Sequence, residues 1–207
     1  MAAKTTKKVL AHVADTLATA KLGLQDVLSG GPDRRLGGLR NLIVFGRAVT
    51  NVLQNLRSTE PAFEAWYEPY VKEMRDDPLL RYFYTLRSEI LKQGQLPSSS
   101  TLHIKSFSTP DLQRLGPPPP GAKGFFMGDQ AGGSGWDVQL PDASTEKLYV
   151  DLPGNVASTE VHLTDAPRKH RGLPIADTRI ETLARLYFEY LSAMVKDAQR
   201  KFGRVGA

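Results

Sequence analysis

The sequence predicts an α+β fold, in which a bundle of four to five α-helices carries a small inserted antiparallel β region. Apolar residues recur at helical spacings of three and four before residue 94 and again after residue 177. Between these stretches the period is closer to two, and glycine and proline are dense. The expected segments are residues 1–96 as the first part of the bundle, 97–173 as the β-rich insertion, and 174–207 as a C-terminal helix that completes the bundle.

The first three helices follow from these apolar stripes. Residues 5–28 and 39–57 each place apolar side chains on one face, which is typical of amphipathic helices. The glycines before Pro32 separate the two helices. A shorter aromatic helix is predicted to have Pro61 in its first turn.

Local signals define the fourth helix more sharply. Asp77 stands before Pro78, a pairing typical of a helix start, because the carboxylate accepts a free N–H while proline fixes φ. The helix is predicted to span 78–93, with Gly94 as its left-handed cap. The last helix is predicted to begin near Asp177.

Short strands are predicted where the period approaches two. The segments are 101–107, 123–128, 135–140, 146–151 and 159–163. A glycine-rich stretch from Gly124 to Trp136 lacks the lysine and hydroxyl residue of a phosphate-binding loop, and a hairpin loop explains it better.

Composition narrows the classes of function. The chain is 41% apolar and 24% charged, as in an ordinary globular protein. It has no cysteine, which excludes thiolate metal sites and thiol nucleophiles and favours a reducing compartment. No segment approaches the roughly 20 apolar residues that span a bilayer. We therefore expect a cytoplasmic protein with no membrane partner.

Arg87, Ser88 and Lys92 lie near the end of the fourth predicted helix. The stretch from Tyr82 to Gly94 resembles the signature helix of the HEPN superfamily, whose active members are helical bundles, often dimeric, that cleave RNA. The motif of that family is an arginine followed by a polar residue, with a histidine after four to six intervening positions counted from the arginine. Arg87 and Ser88 match it, and Lys92 stands where the histidine is expected.

The resemblance implies a phosphate-binding groove more strongly than it implies catalysis. A histidine exchanges protons near neutral pH, whereas a lysine attracts phosphate but is a poor base there. The candidate catalytic residues are Arg87, Ser88 and Lys92, and an active enzyme would be a metal-independent ribonuclease. The leading interpretation is a catalytically degenerate protein that binds RNA or a nucleotide.

Two further basic groups are candidates for phosphate binding. Arg40 and Arg47 lie on one face of the second predicted helix, opposite its apolar stripe. Arg168, Lys169 and Arg171 form the densest basic cluster, in a connector that we expect to be exposed.

Other interpretations stay open. The four histidines, His12, His103, His162 and His170, show no metal-ligand spacing, and we expect no metal and no cofactor. His103 and His162 are expected to meet across a sheet. One alternative is a non-catalytic interaction protein that forms a homodimer through helices 39–57 and 78–93. Another is a small-molecule enzyme that uses the loop near Asp129 and Trp136.

Overall fold

The computed structural model describes residues 5–106, 108–129 and 133–203, and it has the predicted α+β fold. Within these ranges, five long α-helices, one short α-helix and one 3-10 helix accompany three small antiparallel sheets. None of the helices in these ranges is both long enough and apolar enough to cross a membrane.

The first two helices form a closely packed antiparallel pair. They are α1 (Thr6–Ser29) and α2 (Pro32–Leu53). A β-carbon built on Gly23 would lie 2.6 Å from the carbonyl oxygen of Gly38, so glycine is required where the two backbones meet. The prediction for α1 is confirmed. Helix α2 begins at Pro32 rather than at residue 39, because proline at the first position starts a helix before the apolar stripe appears.

A 3-10 helix (Gln54–Ser58), α3 (Phe63–Asp76) and α4 (Pro78–Gln93) follow. The Asp77 carboxylate accepts a hydrogen bond from the Leu80 N–H at 3.0 Å and so caps α4. Gly94 closes that helix with a left-handed φ of 67°. Both predicted ends of α4 are confirmed. Helix α3 begins at Phe63, so Pro61 precedes it instead of lying in its first turn.

The β region consists of separate small sheets. Its strands are β1 (Ser98–Ile104), β2 (Ala122–Met127), β3 (Ser134–Gln139), β4 (Thr145–Val150), β5 (Ala157–Leu163), β6 (Lys169–His170) and β7 (Leu173–Pro174). Strand β1 pairs with β5, β3 lies between β2 and β4, and β6 pairs with β7. The five predicted strands are confirmed to within a few residues. A short helix, α5 (Thr109–Arg114), was not predicted.

Helix α6 (Ile180–Phe202) completes the main core. Its buried residues pack in one cluster with those of α1 to α4, and Val161 and Leu163 of β5 join that cluster. The helix begins at Ile180 rather than near Asp177, because the chain is still extended at Arg179, where it forms a bridge with His162.

One carboxylate joins α3 to α6. Asp197 accepts hydrogen bonds from Trp66 Nε1 at 2.7 Å and from the Tyr70 hydroxyl at 2.8 Å. These bonds hold the pKa of Asp197 below its ordinary value. The contact fixes the position of α3 and thereby one wall of the cavity described next.

Candidate functional site

A cavity of about 690 Å³ lies between α2, the 3-10 helix, α3, α4 and α6. This volume is in the range of pockets that hold small molecules, about 300–1,000 Å³. Apolar side chains form part of its wall: Val71, Met74, Leu80 and Leu191. Four arginines and four tyrosines supply most of the remainder: Arg47, Arg57, Arg75, Arg81, Tyr67, Tyr84, Tyr187 and Tyr190.

Two contacts hold the Arg47 side chain in place. Its Nη1 donates a hydrogen bond to Thr50 Oγ1 at 2.7 Å. Its guanidinium carbon lies 5.4 Å from the ring centroid of Tyr84, within the range of a cation–π contact. Arg47 comes from α2 and Tyr84 from α4, so the contact bridges two walls of the cavity.

The arginines differ in whether a carboxylate neutralises them. Arg57 pairs with Glu64 at 2.5 Å, and Arg75 pairs with Asp76 at 3.1 Å. Among the residues that the structure describes, no carboxylate lies within 4.0 Å of Arg47 or of the exposed Arg81. Within the described ranges, the lining includes no aspartate or glutamate. The cavity is therefore positively charged, which suits an anionic ligand.

Three of the four lining tyrosines, Tyr67, Tyr187 and Tyr190, are buried. Tyr187 is buried and stacks on Phe83, with ring centroids 4.4 Å apart. Tyr190 is also buried, and burial raises the pKa of both phenols. Both are therefore neutral near neutral pH. Aromatic faces and neutral hydroxyls suit a flat polar ring better than a second charge.

Gly46 lets α2 approach α6 at this end of the cavity. A β-carbon built on Gly46 would lie 2.6 Å from Tyr187 Cε1 and 2.9 Å from Leu191 Cδ1. Such distances require a side chain to shift. The absence of a side chain at Gly46 therefore determines where the Tyr187 ring lies.

The predicted phosphate-binding residues of α2 and α4 do not share one site. Arg47 lines the cavity, whereas the exposed Arg40 donates a hydrogen bond to the Gly94 carbonyl oxygen at 3.1 Å. Arg87 is half-buried outside the cavity lining, and its Nε has no hydrogen-bond partner among the described residues.

The other two motif residues are also outside the lining. Ser88 donates a hydrogen bond to the Tyr84 carbonyl oxygen at 3.4 Å, and Lys92 is exposed in the last turn of α4. The pocket of cationic side chains from α2 and α4 is therefore built from Arg47 and Arg81.

The basic segment at residues 168–171 lies against the start of α4. His170 Nδ1 is 3.1 Å from Asp77 Oδ1, and the Arg171 N–H donates to Asp77 Oδ2 at 2.6 Å. Arg171 Nε also pairs with Glu73 at 2.8 Å. Arg168 and Lys169 are exposed. Arg171 is thus committed to contacts within the protein, whereas Arg168 and Lys169 form no ion pair with any residue that the structure describes.

The remaining candidates lie in the β region. His103 and His162 both approach Glu160, with Nε2 to Oε2 distances of 3.8 and 3.5 Å. Asp129 accepts a hydrogen bond from the Tyr149 hydroxyl at 2.5 Å and from the Gly133 N–H at 2.9 Å. Residues 130–132 of the predicted glycine loop lie outside the described residues. In the described part of the chain, no group of three histidine or carboxylate side chains is placed to hold a metal ion.

Sequence patterns missed Arg57, Arg75 and Arg81 as members of the site. The spacing of Arg81 and Tyr84 by three on one helix is a signal that the two share a face. Tyr187 falls on the apolar stripe of the last predicted helix, and apolar spacing gives no sign that its hydroxyl group belongs to a site.

The chain is similar in part to a known phage family. A family model described as bacteriophage lambda protein ea47 matches residues 32–109, which is less than half of the chain. The match spans α2, the 3-10 helix, α3 and α4, which together carry all four arginines of the cavity, and it ends before α6. Neither the curated proteins nor the solved structures gave a significant match.

Proposed function

We propose that the protein binds a nucleotide, free or as part of RNA, in the cavity between α2, α4 and α6. The observation that carries this proposal is the meeting of Arg47 and Arg81, from two helices and without carboxylate partners among the described residues, beside tyrosine rings in one cavity. Guanidinium groups bind phosphate through two parallel hydrogen bonds. The exposed ring of Tyr84 provides an aromatic surface on which a base can stack.

We further propose that binding occurs without cleavage. This proposal rests on the resemblance of the α4 sequence to the HEPN motif, in which Lys92 stands where that family has a proton-exchanging histidine. Lys92 is exposed, and it lies outside the cavity lining. The absence of cysteine fits the cytoplasmic location that we expect for such a protein.

Binding of fluorescent adenosine monophosphate and of a short single-stranded RNA tests the proposal. We expect Arg47→Ala to weaken binding about tenfold or more, because a charge-assisted hydrogen bond contributes roughly 1.5–3 kcal/mol. Arg40→Ala is the matched control, since Arg40 lies on the same helix outside the cavity. The proposal is wrong if neither probe binds at low salt, or if both variants weaken binding equally.

The two probes also distinguish the source of the ligand. Equal affinity for the mononucleotide and the RNA indicates that one nucleotide fills the site. Tighter RNA binding with a steeper dependence on salt indicates contacts along the phosphate backbone, to which Arg168 and Lys169 are candidates to contribute. Incubation of the RNA without metal, followed by gel analysis, tests cleavage, and we expect none.

A homodimer is the second candidate function. Three large apolar side chains on α2 and α4 are exposed: Phe45 at 37%, Tyr84 at 55% and Leu91 at 54%. These are the two helices from which an interface is predicted. Light scattering of the wild type and of Leu91→Glu tests this candidate. If the wild type is a dimer through this face, we expect the variant to be a monomer. A monomeric wild type would rule out the homodimer.

A further inference from the structure

The cavity wall carries more positive charge than one phosphate group neutralises. Arg47, Arg57, Arg75 and Arg81 all belong to the wall, and among the described residues no aspartate or glutamate does. A phosphate monoester has a charge of about −1.5 to −2 near neutral pH, so one phosphate group matches at most about two of these four guanidinium charges. The wall therefore has positive charge to spare for a second phosphate group.

Arg57 already binds an oxyanion through two of its nitrogens. Its Nε lies 2.5 Å from Glu64 Oε1, and its Nη2 donates to Glu64 Oε2 at 3.5 Å. Phosphate binds a guanidinium group in the same way, through two parallel hydrogen bonds. Glu64 is not one of the residues that line the cavity. Its carboxylate therefore occupies the nitrogens with which Arg57 would bind a phosphate inside the cavity.

The pair between Arg57 and Glu64 is open to exchange. The Arg57 side chain is 50% exposed and the Glu64 side chain is 65% exposed. Exposed ion pairs add little to stability, because water screens the charges and both side chains lose freedom. A phosphate group that replaces the Glu64 carboxylate therefore displaces a weak partner, and the carboxylate returns to water.

Arg57 and Arg47 lie near the same tyrosine. Burial raises the pKa of the Tyr67 phenol, and the charges of Arg47 and Arg57 both oppose that rise. Arg47 comes from α2, and Arg57 comes from the 3-10 helix that follows it. Both guanidinium groups are thus close enough to Tyr67 for their charges to act on its hydroxyl. Two phosphate groups that are linked to each other are suited to such a pair of arginines.

We infer that the bound nucleotide carries at least two linked phosphate groups, as a nucleoside diphosphate does, and that Glu64 limits its affinity by competing with the second phosphate for Arg57. This inference rests on the proposed function, since it names the class of nucleotide that the same cavity binds. Arg57 distinguishes diphosphates from monophosphates. Glu64 acts through Arg57 and sets how strong that preference is.

Calorimetry with adenosine monophosphate and adenosine diphosphate, without Mg²⁺, tests the inference. We expect the wild type to bind the diphosphate about tenfold more tightly than the monophosphate. Glu64→Gln keeps the size of the side chain but removes its charge, and should raise this preference a further twofold to fivefold, roughly the contribution of an exposed ion pair. Arg57→Ala should reduce the preference to about threefold or less.

Glu68→Gln is the matched control for the loss of a negative charge. Glu68 is an exposed carboxylate of the same helix, and it forms no ion pair with any residue that the structure describes. We expect this variant to keep the preference of the wild type. In the Arg57→Ala background, Glu64→Gln should have no further effect, because the competition requires Arg57.

The outcomes separate the two proposals. If the monophosphate binds and Arg47→Ala weakens it, but the wild type shows no preference for the diphosphate, the inference is wrong and the nucleotide site stands. The inference is also wrong if Glu64→Gln and Glu68→Gln change the preference equally, or if Glu64→Gln still raises it without Arg57. If neither nucleotide binds the wild type, the proposed function fails and this inference fails with it.

Discussion

The guanidinium carbon of Arg47 lies 5.4 Å from the centre of the Tyr84 ring, which ties α2 to α4 at the edge of the cavity. Tyr84 is 55% exposed, so little of its area contributes to the core. Its ring instead holds Arg47 in one position. A positively charged side chain that is already held in place loses less freedom when it binds an anion.

We therefore expect Tyr84→Ala to weaken nucleotide binding about twofold to fivefold, since an exposed cation–π contact contributes about 0.5–1 kcal/mol. Tyr84→Phe retains the ring and is expected to bind like the wild type. Titration of the two variants and their melting curves check this. Equal losses in both variants would indicate that the Tyr84 hydroxyl, and not its ring, matters.

Gly46→Ala is expected to destabilise the protein by about 1–3 kcal/mol, because the new methyl group overlaps the buried Tyr187 ring. Displacement of that ring also changes the cavity, so ligand affinity should fall. Chemical denaturation measures the loss of stability. Gly37→Ala is the control: nothing lies within 4 Å of its β-carbon position, and alanine is expected to stabilise α2 by about 0.5–1 kcal/mol. Similar effects at both positions would contradict the close packing at Gly46.

Asp77 makes the stability of the protein depend on acid pH. Burial acts to raise the pKa of this carboxyl, but hydrogen bonds from the Arg171 and Leu80 N–H groups and from His170 outweigh it and hold the pKa below the ordinary value of 3.8. A depressed pKa contributes stability above pH 3.8, and that contribution is lost as the pH falls through the lower folded value.

We expect Asp77→Ala to lose at least about 2 kcal/mol at neutral pH, from the lost helix cap and two further hydrogen bonds. Its stability should also fall less steeply than that of the wild type between pH 5 and 2, roughly the window in which such carboxylates are protonated. Urea denaturation over that range measures both effects. Asp76→Ala removes an exposed neighbouring carboxylate, and its stability should depend on pH as that of the wild type does. If the stability of Asp77→Ala falls as steeply as that of the wild type between pH 5 and 2, the role of Asp77 is wrong.

Asp197→Ala is expected to loosen α3 from α6, because Trp66 Nε1 and the Tyr70 hydroxyl both lose their acceptor. We expect a loss of about 2–4 kcal/mol in the free energy of unfolding and a shift in Trp66 fluorescence. Denaturation followed by fluorescence checks both. Glu189→Ala, an exposed carboxylate of the same helix, should change neither.

Local signals explain which parts of the fold were predictable. The ends of α4 follow from Asp77, Pro78 and Gly94, whose backbone effects act within one helical turn. The first turns of α2, before residue 39, and the short helix α5 are too short to show a repeating apolar pattern. The spacing of apolar residues therefore does not predict them.

The site was predictable only in part, because it depends on contacts between distant segments. Arg47 was identified from the polar face of α2. Arg81 was not, since the sequence does not say which face of α4 turns toward α2. The docking of Arg171 on Glu73 and Asp77 brings together groups that are far apart in the chain. Nothing local to residues 168–171 indicates it.

The position of α6 has a consequence for a broken chain. The buried residues of α6 pack in one core with those of the first four helices. The two fragments produced by cutting the chain between Pro117 and Pro118 should therefore stay associated. A protease site inserted there should give two fragments that migrate together under native conditions and separate in denaturant. Ligand binding should persist after the cut. If fragments that are produced separately bind the ligand once they are mixed, then α6 can complete the cavity as part of a separate chain.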